Sequence, residues 1–186
     1  MKLRLARTIA RSQANGPGER FVIWVQGCPI HCPGCWNRDT WDPSGGQDSL
    51  VAELLSAIAG VEGLEGVTFT GGEPMAQAEA LAELAAACRD RGLSVFIFTG
   101  YRQEQLKTPA QLKLWGLADI VVAGPYVQAQ RSFEHAWVGS ANQQVHFVSS
   151  RYSPTDQQHA VRAEAHLEAD GTITWTGFPE DEAGII

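Results

Sequence analysis

Phe21-Val-Ile-Trp-Val25-Gln-Gly27-Cys28-Pro-Ile-His31-Cys32-Pro-Gly34-Cys35 is an apolar run that ends in three cysteines. Phe21–Val25 reads as a buried strand, because a short apolar run closed by a glycine suits one. The cysteines follow at C-x3-C-x2-C spacing. Three thiolates on one loop can hold three irons of a cubane iron–sulfur cluster. Complete cysteine ligation of four irons needs a fourth thiolate, so one iron stays open for chemistry. The spacing also admits a zinc knuckle with His31 as fourth ligand, since zinc accepts Cys3His sets. His31 adjoins Cys32, however, so their side chains diverge unless the loop doubles back. Zinc sites also more often use two separated pairs, and no second pair exists here. A disulfide framework does not suit three cysteines so close together.

Gly71-Gly72-Glu73-Pro74 directly follows a second predicted strand, Val67–Thr70. Paired glycines let a ligand approach the backbone. A backbone carbonyl and the Glu73 carboxylate can both accept from an ammonium group. Taken alone, the run is a strand-to-helix turn with Pro74 opening the helix.

Further strands are predicted at Ser94–Phe98, Asp119–Ala123 and Val145–Val148. Helices are predicted through Ala59 from a cap at Asp48 or Ser49, from about Met75 to Arg91 with Gly92 as the stop, and from Gln103 to Trp115, interrupted at Pro109. Strands alternating with helices argue for an α/β fold with a mainly parallel sheet. A complete eight-fold barrel takes about 250 residues, more than the 186 present. The length fits a partial, laterally open (β/α) barrel of about five to six mainly parallel strands. Its motifs follow strands, the end at which such barrels carry their sites. Asp119 begins a strand and is assigned a structural role; Gly124-Pro125-Tyr126 ends that strand and faces the active end.

Hydrophobic content of 44% and charged content of 19% suit a single globular domain. The net charge of −7 and the lack of a basic run remove any general attraction to nucleic acid. No stretch has the apolar length of a membrane span, and the basic N-terminus lacks the apolar core of a secretory signal. A cytoplasmic location suits unpaired thiols. Cys88 falls in a helical pattern with Leu81 and Leu84 and reads as a small buried apolar residue. It cannot build a second cluster. His135, His146, His159 and His166 show no ligand spacing.

The run Gln26 to Asp42, with its Cys35-Trp36-Asn37-Arg38-Asp39-Thr40-Trp41-Asp42 tail, resembles the cluster loop of radical S-adenosylmethionine (SAM) enzymes. Gly71–Pro74 resembles the motif that holds the methionyl amine in that superfamily. Asn15-Gly-Pro-Gly18 with Arg20, Thr99-Gly100-Tyr101 and Gly139-Ser140-Ala-Asn142-Gln143 are similar to runs in one of its groups. That group comprises the activating enzymes of glycyl radical enzymes, those of pyruvate formate-lyase and anaerobic ribonucleotide reductase among them.

The resemblance implies one [4Fe-4S] cluster on Cys28, Cys32 and Cys35, with SAM on the open iron. It places Gly71, Gly72, Glu73 and Pro74 around the SAM amine, with Thr99, Ser140 and Asn142 as further contacts. A turn at Thr99 and a loop at Ser140 and Asn142 are the structural alternatives. Reductive cleavage of SAM would yield a 5′-deoxyadenosyl radical that takes a hydrogen atom, most naturally to install a glycyl radical on a partner enzyme. Modification of another protein or peptide is the alternative, and a zinc or iron–sulfur binding module is the non-enzymatic one. Such a module has no use for Gly71–Pro74. An external one-electron donor such as flavodoxin or ferredoxin is implied. The chain departs from the group at Gly34, where an aromatic often touches adenine, and at Trp36, where histidine is usual. Trp36 is assigned a packing role near the adenine or the cluster in its place. Residues 1–186 form one radical SAM domain, with 151–186, including Thr174-Trp-Thr-Gly-Phe-Pro179, as a C-terminal extension whose role the sequence does not assign.

Overall fold

Parallel strands buried on both faces build the centre of this molecule, and a computed structural model shows how. The described residues are 1–167 and 170–178. The elements run β1 (Lys2–Ser12), β2 (Arg20–Val25), β3 (Gln47–Leu50), α1 (Val51–Ala59), β4 (Gly66–Gly71), α2 (Ala78–Arg89), β5 (Ser94–Thr99), α3 (Pro109–Leu117), β6 (Ile120–Ala123), β7 (Gln144–Phe147), β8 (Ala163–Leu167) and β9 (Ile173–Gly177). Seven strands form one sheet in the order β3-β1-β2-β4-β5-β6-β7, and β8 and β9 form a separate hairpin. β2, β4, β5 and β6 are parallel. β1, β3 and β7 pair antiparallel with their neighbours. The fold is therefore α/β with a mostly parallel central sheet.

The five predicted strands correspond to β2, β4, β5, β6 and β7. β1 and β3 enlarge the sheet beyond the five to six strands expected. In β1 the buried Leu3 and Leu5 alternate with the less buried Arg4 and Ala6, the signature of a one-faced antiparallel strand. In sequence it reads only as a basic terminus. β3 is held by Arg4, which donates to Asp48 Oδ1 at 2.9 Å and to the Gly45 carbonyl at 2.7 Å. Asp48 is thus engaged in the sheet and does not cap α1. Glu53 accepts instead from the Leu50 N–H at 2.8 Å.

The helix expected from Met75 begins as a 3₁₀ turn, Pro74–Gln77, before α2. Pro109 opens α3 rather than interrupting it, with the Gln111 N–H donating to Thr108 Oγ1 at 3.2 Å. Proline suits the first helical position because its missing N–H has no partner there anyway.

One face of the sheet carries Phe21, Ile23, Val25, Val67, Phe69, Val95 and Ile97. They pack with Leu54, Ile58, Leu81, Leu84, Cys88 and Leu114 from the three helices. Cys88 is buried there, as expected. Alternation turns Trp24, Thr68, Thr70, Phe96 and Phe98 to the opposite face. Among the described residues no α-helix covers that face. Trp137 and Tyr152 pack over Phe96, Ile120 and Val122, and Phe178 lies against Phe98 with ring centroids 6.1 Å apart. Asp119 accepts from the Val95 N–H at 2.9 Å and from Ser149 and Arg89, the structural role expected of it. Among the described residues no helix is long and apolar enough to cross a membrane.

Arg20 starts β2 and is wholly buried. Its guanidinium donates to Thr68 Oγ1, Pro17 O, Ser94 Oγ, Val67 O and Ser94 O at 2.6–3.2 Å. It therefore ties β2, β4 and β5 together at the end away from the cysteines. Burial pulls its pKa down to about 10, so it stays charged at neutral pH. Arg20→Ala strands several buried acceptors at once and is expected to lower stability by roughly 3–5 kcal/mol in urea unfolding. A loss below about 1 kcal/mol contradicts this bracing role.

Candidate active site

The cysteine loop leaves the end of β2 and is tied back to its own root. Gly27 N–H donates to the Thr40 carbonyl at 2.8 Å and Cys28 N–H to the Trp41 carbonyl at 3.1 Å. Gln26 Nε2 donates to the Asp42 carbonyl at 2.7 Å. The residues after Cys35 thus close the loop that displays the thiols. Cys35 N–H donates to the Cys32 carbonyl at 3.1 Å within it.

All three thiols are free and partly exposed, and all three line one cavity of about 340 Å³. Burial raises the Cys28 and Cys32 thiols above their usual range. Backbone N–H groups of His31 and Ile30 toward Cys28, and of Tyr126 toward Cys32, oppose that rise. Metal binding would deprotonate them outright. His31 has φ of 52° and lies stacked on Trp41, centroids 4.7 Å apart. Among the described residues no three His, Cys, Asp or Glu side chains form a group poised for one metal ion. A cluster asks something different of the cysteines, one thiolate for each of three irons, and three thiols lining one cavity suit it.

Gly71, Gly72 and Glu73 line the same cavity. Their glycines serve the backbone first. Gly71 has φ of 97°, and a Cβ there would lie 2.7 Å from Trp24 Cα. A Cβ on Gly72 would collide with the Gly27 carbonyl. The space the glycines leave is thus filled by β2 and the cysteine loop, not left wholly for a ligand.

Glu73 is fully buried. Oε1 accepts from Met75 N–H at 2.8 Å and from Thr99 Oγ1 at 2.7 Å, and Oε2 accepts from Gly100 N–H at 2.8 Å. Burial lifts its pKa to about 7 against the pull of those three donors. Thr99 therefore meets Glu73 directly, a link between motifs 26 residues apart. Arg7 and Glu73 are the charged side chains among the lining residues apart from any thiolate.

Trp36 lines the cavity and is 37% exposed, with the Arg131 guanidinium 5.4 Å from its ring centroid. Gly124 and Tyr126 also line it, as their strand-end position suggests. Three expected contacts do not reach the wall. Pro74 is buried at the start of its 3₁₀ turn. Ser140 is wholly buried and accepts from Val127 N–H at 3.1 Å. Asn142 donates to the Pro125 carbonyl at 2.7 Å, and its Oδ1 is buried without a hydrogen-bond partner. These two brace the loop after β6. Gln143, which they neighbour, lines the cavity instead.

Sequence reasoning missed Arg7, Asn15, Trp24, Trp41 and Phe98 as wall residues. The alternation of β2 and β5 would have pointed to Trp24 and Phe98. The extension, whose role the sequence leaves open, puts Ile173, Trp175, Thr176, Gly177 and Phe178 on the cavity wall. Pro179 and residues 180–186, and the His159 side chain, lie outside the described residues.

Residues 14–146 match a family model described as a 4Fe-4S single cluster domain. The anaerobic ribonucleoside-triphosphate reductase-activating protein of Salmonella typhi is 33% identical over 145 residues, covering 72% of this chain and 92% of the relative. That of Enterobacteria phage T4 is 33% identical over 138 residues, covering 70% and 85%. The pyruvate formate-lyase-activating enzyme of Clostridium pasteurianum is 38% identical over 93 residues, covering 47% and 39%. The chain belongs to this 4Fe-4S single cluster family, within the radical SAM activating enzymes.

The buried Glu73 carboxyl makes a pH prediction for the cluster-free protein. A carboxyl with a raised folded pKa holds its proton more tightly when folded. Its contribution to stability falls as pH rises from the ordinary 4.5 to about 7 and levels off above. At about 1.4 kcal/mol per pH unit the fall is of order 3 kcal/mol. Urea unfolding across that window should show it, and Glu73→Gln should flatten it. An equal slope in both proteins contradicts the assignment.

Proposed function

We propose that this chain is a glycyl radical activase that cleaves SAM and takes a hydrogen atom from a glycine of a partner protein. The observation that carries the reading is the shared cavity: Cys28, Cys32 and Cys35 open on the same space as Gly71, Gly72 and Glu73. The names of the relatives, which activate a reductase or a lyase, supply the substrate class.

The three cysteines would hold the cluster and leave one iron for SAM. When bound, cluster and cofactor would supply the electron and the radical chemistry that removes the substrate hydrogen. A carboxylate accepts about four hydrogen bonds, and three of those of Glu73 are taken. One place remains for the methionyl ammonium, together with backbone carbonyls of the Gly71–Gly72 turn. A cation there favours the ionised carboxylate and draws its pKa down. Thr99 fixes the Glu73 rotamer. Trp36, with Trp24, Trp41 and Phe98, keeps water from the reacting atoms.

The parallel strands belong, on this reading, to a laterally open partial barrel within one domain of residues 1–186. The electron comes from a flavodoxin- or ferredoxin-type donor, and the location is cytoplasmic, where thiols stay reduced. A second reading, modification of another protein or peptide, draws support from the extension at the cavity wall.

With dithionite, the reconstituted holoprotein should release 5′-deoxyadenosine and methionine in equal amounts. Ala at Cys28, Cys32 or Cys35 should abolish four-iron loading, whereas Cys88→Ala should retain it. Mixing with a glycyl radical protein from the same genome should give an EPR doublet. Full iron content in the triple variant overturns the ligand set. SAM cleavage with no doublet from any such protein moves the function to the second reading.

A further inference from the structure

The β8–β9 hairpin lies outside the residues matched by the family model, 14–146, yet it walls the cavity. Its two faces are the reverse of the usual order. Side chains at alternate positions and directly across the ladder share a face. One face carries Glu164, His166, Thr174 and Thr176. That polar face is docked: Glu164 accepts from the Ser12 hydroxyl at 2.6 Å and the Gln13 N–H at 2.7 Å, and Thr176 Oγ1 accepts from Asn15 Nδ2 at 2.7 Å.

The other face carries the cross-strand pair Leu167 and Ile173, with Trp175 beside them. These are 76%, 57% and 39% exposed. Ile173 and Trp175 also line the cavity with Trp36. An apolar patch held outward at the mouth of a site marks a docking surface.

Two further observations say what docks. The cavity, about 340 Å³, lies at the low end of the roughly 300–1,000 Å³ typical of pockets for one small ligand. Cluster and cofactor would take up that space, so the reacting atom of a substrate would be presented at the mouth from outside. Among the described residues β9 pairs with β8 alone. Within the described residues its second edge therefore keeps backbone donors and acceptors for another strand.

We infer that this hairpin docks the protein substrate as an extended, apolar-flanked segment that pairs with the free edge of β9. Main-chain bonds to an exposed strand give such a segment its hold, and alternate side chains give it selectivity. Leu167, Ile173 and Trp175 receive the flanking apolar side chains, and a glycine, having no Cβ, brings its Cα closest to the cavity. The inference rests on the proposed activase function and identifies the part of this chain that selects the substrate.

The test titrates the glycyl radical protein into reduced, SAM-loaded holoprotein and reads the initial rate of doublet formation. Leu167→Ser and Ile173→Ser remove exposed apolar surface. Each should raise the half-saturating concentration of substrate protein about ten-fold or more, with a much smaller change in the maximal rate. Ile173→Val should behave like the parent. Half-saturation within about two-fold of the parent in both serine variants overturns the docking surface while leaving the activase reading intact. SAM cleavage with no doublet in the parent overturns the activase reading, and this inference with it.

Discussion

Two backbone hydrogen bonds hold the functional end of the molecule together. Gly72 N–H donates to the Val25 carbonyl at 2.8 Å, and Glu73 N–H to the Gly27 carbonyl at 2.9 Å. They carry the parallel pairing of β2 and β4 past its last registered pair, Val25 and Gly71. A side chain at Gly71 or Gly72 would push the strands apart. The cysteine loop and the Glu73 turn are therefore fixed side by side before any ligand is bound. Glu73 then extends the brace to β5 through Thr99 and Gly100. The cysteine loop, the Glu73 turn and the end of the third parallel strand form one hydrogen-bonded rim.

The sheet separates stability from chemistry by its two faces and its two ends. Helices cover one face with an apolar core. The opposite face carries Trp24, Thr70 and Phe98 to the cavity wall. At the far end Arg20 and Asp119 satisfy buried backbone and hydroxyl groups. Burial works differently on the two ionisable groups involved. Arg20 loses part of its high pKa and keeps its charge, whereas Glu73 is poised near neutrality. A cation arriving beside Glu73 thus meets a group whose charge it can recruit.

Much of this was legible in the sequence, because it rests on local spacing. C-x3-C-x2-C and Gly71–Pro74 each follow a short apolar run, and strand ends in a parallel sheet converge on one site. β2, β4, β5 and β6 were legible for the same reason: strands buried on both faces leave unbroken apolar runs. β1 and β3 were not. Arg4 and Arg7 break the apolar signal of β1, and β3 depends on Arg4 clamping Asp48 and Gly45 across 40-odd residues. Ser140 and Asn142 stood open between a cofactor contact and a loop role, because hydroxyl and amide groups serve a loop as readily as a ligand. The hairpin was hidden for a subtler reason. Its apolar side chains face outward and its polar ones inward, so its pattern does not announce where it packs.

The central claim is a site-differentiated cluster, three irons on cysteine and one open to SAM beside Glu73. Mössbauer spectra of the protein loaded with ⁵⁷Fe, recorded before and after adding SAM, address it directly. One iron in four should shift to the parameters of a site with higher coordination, and three should stay as they were. Four irons unmoved by SAM, or a spectrum without a four-iron cluster, would contradict it.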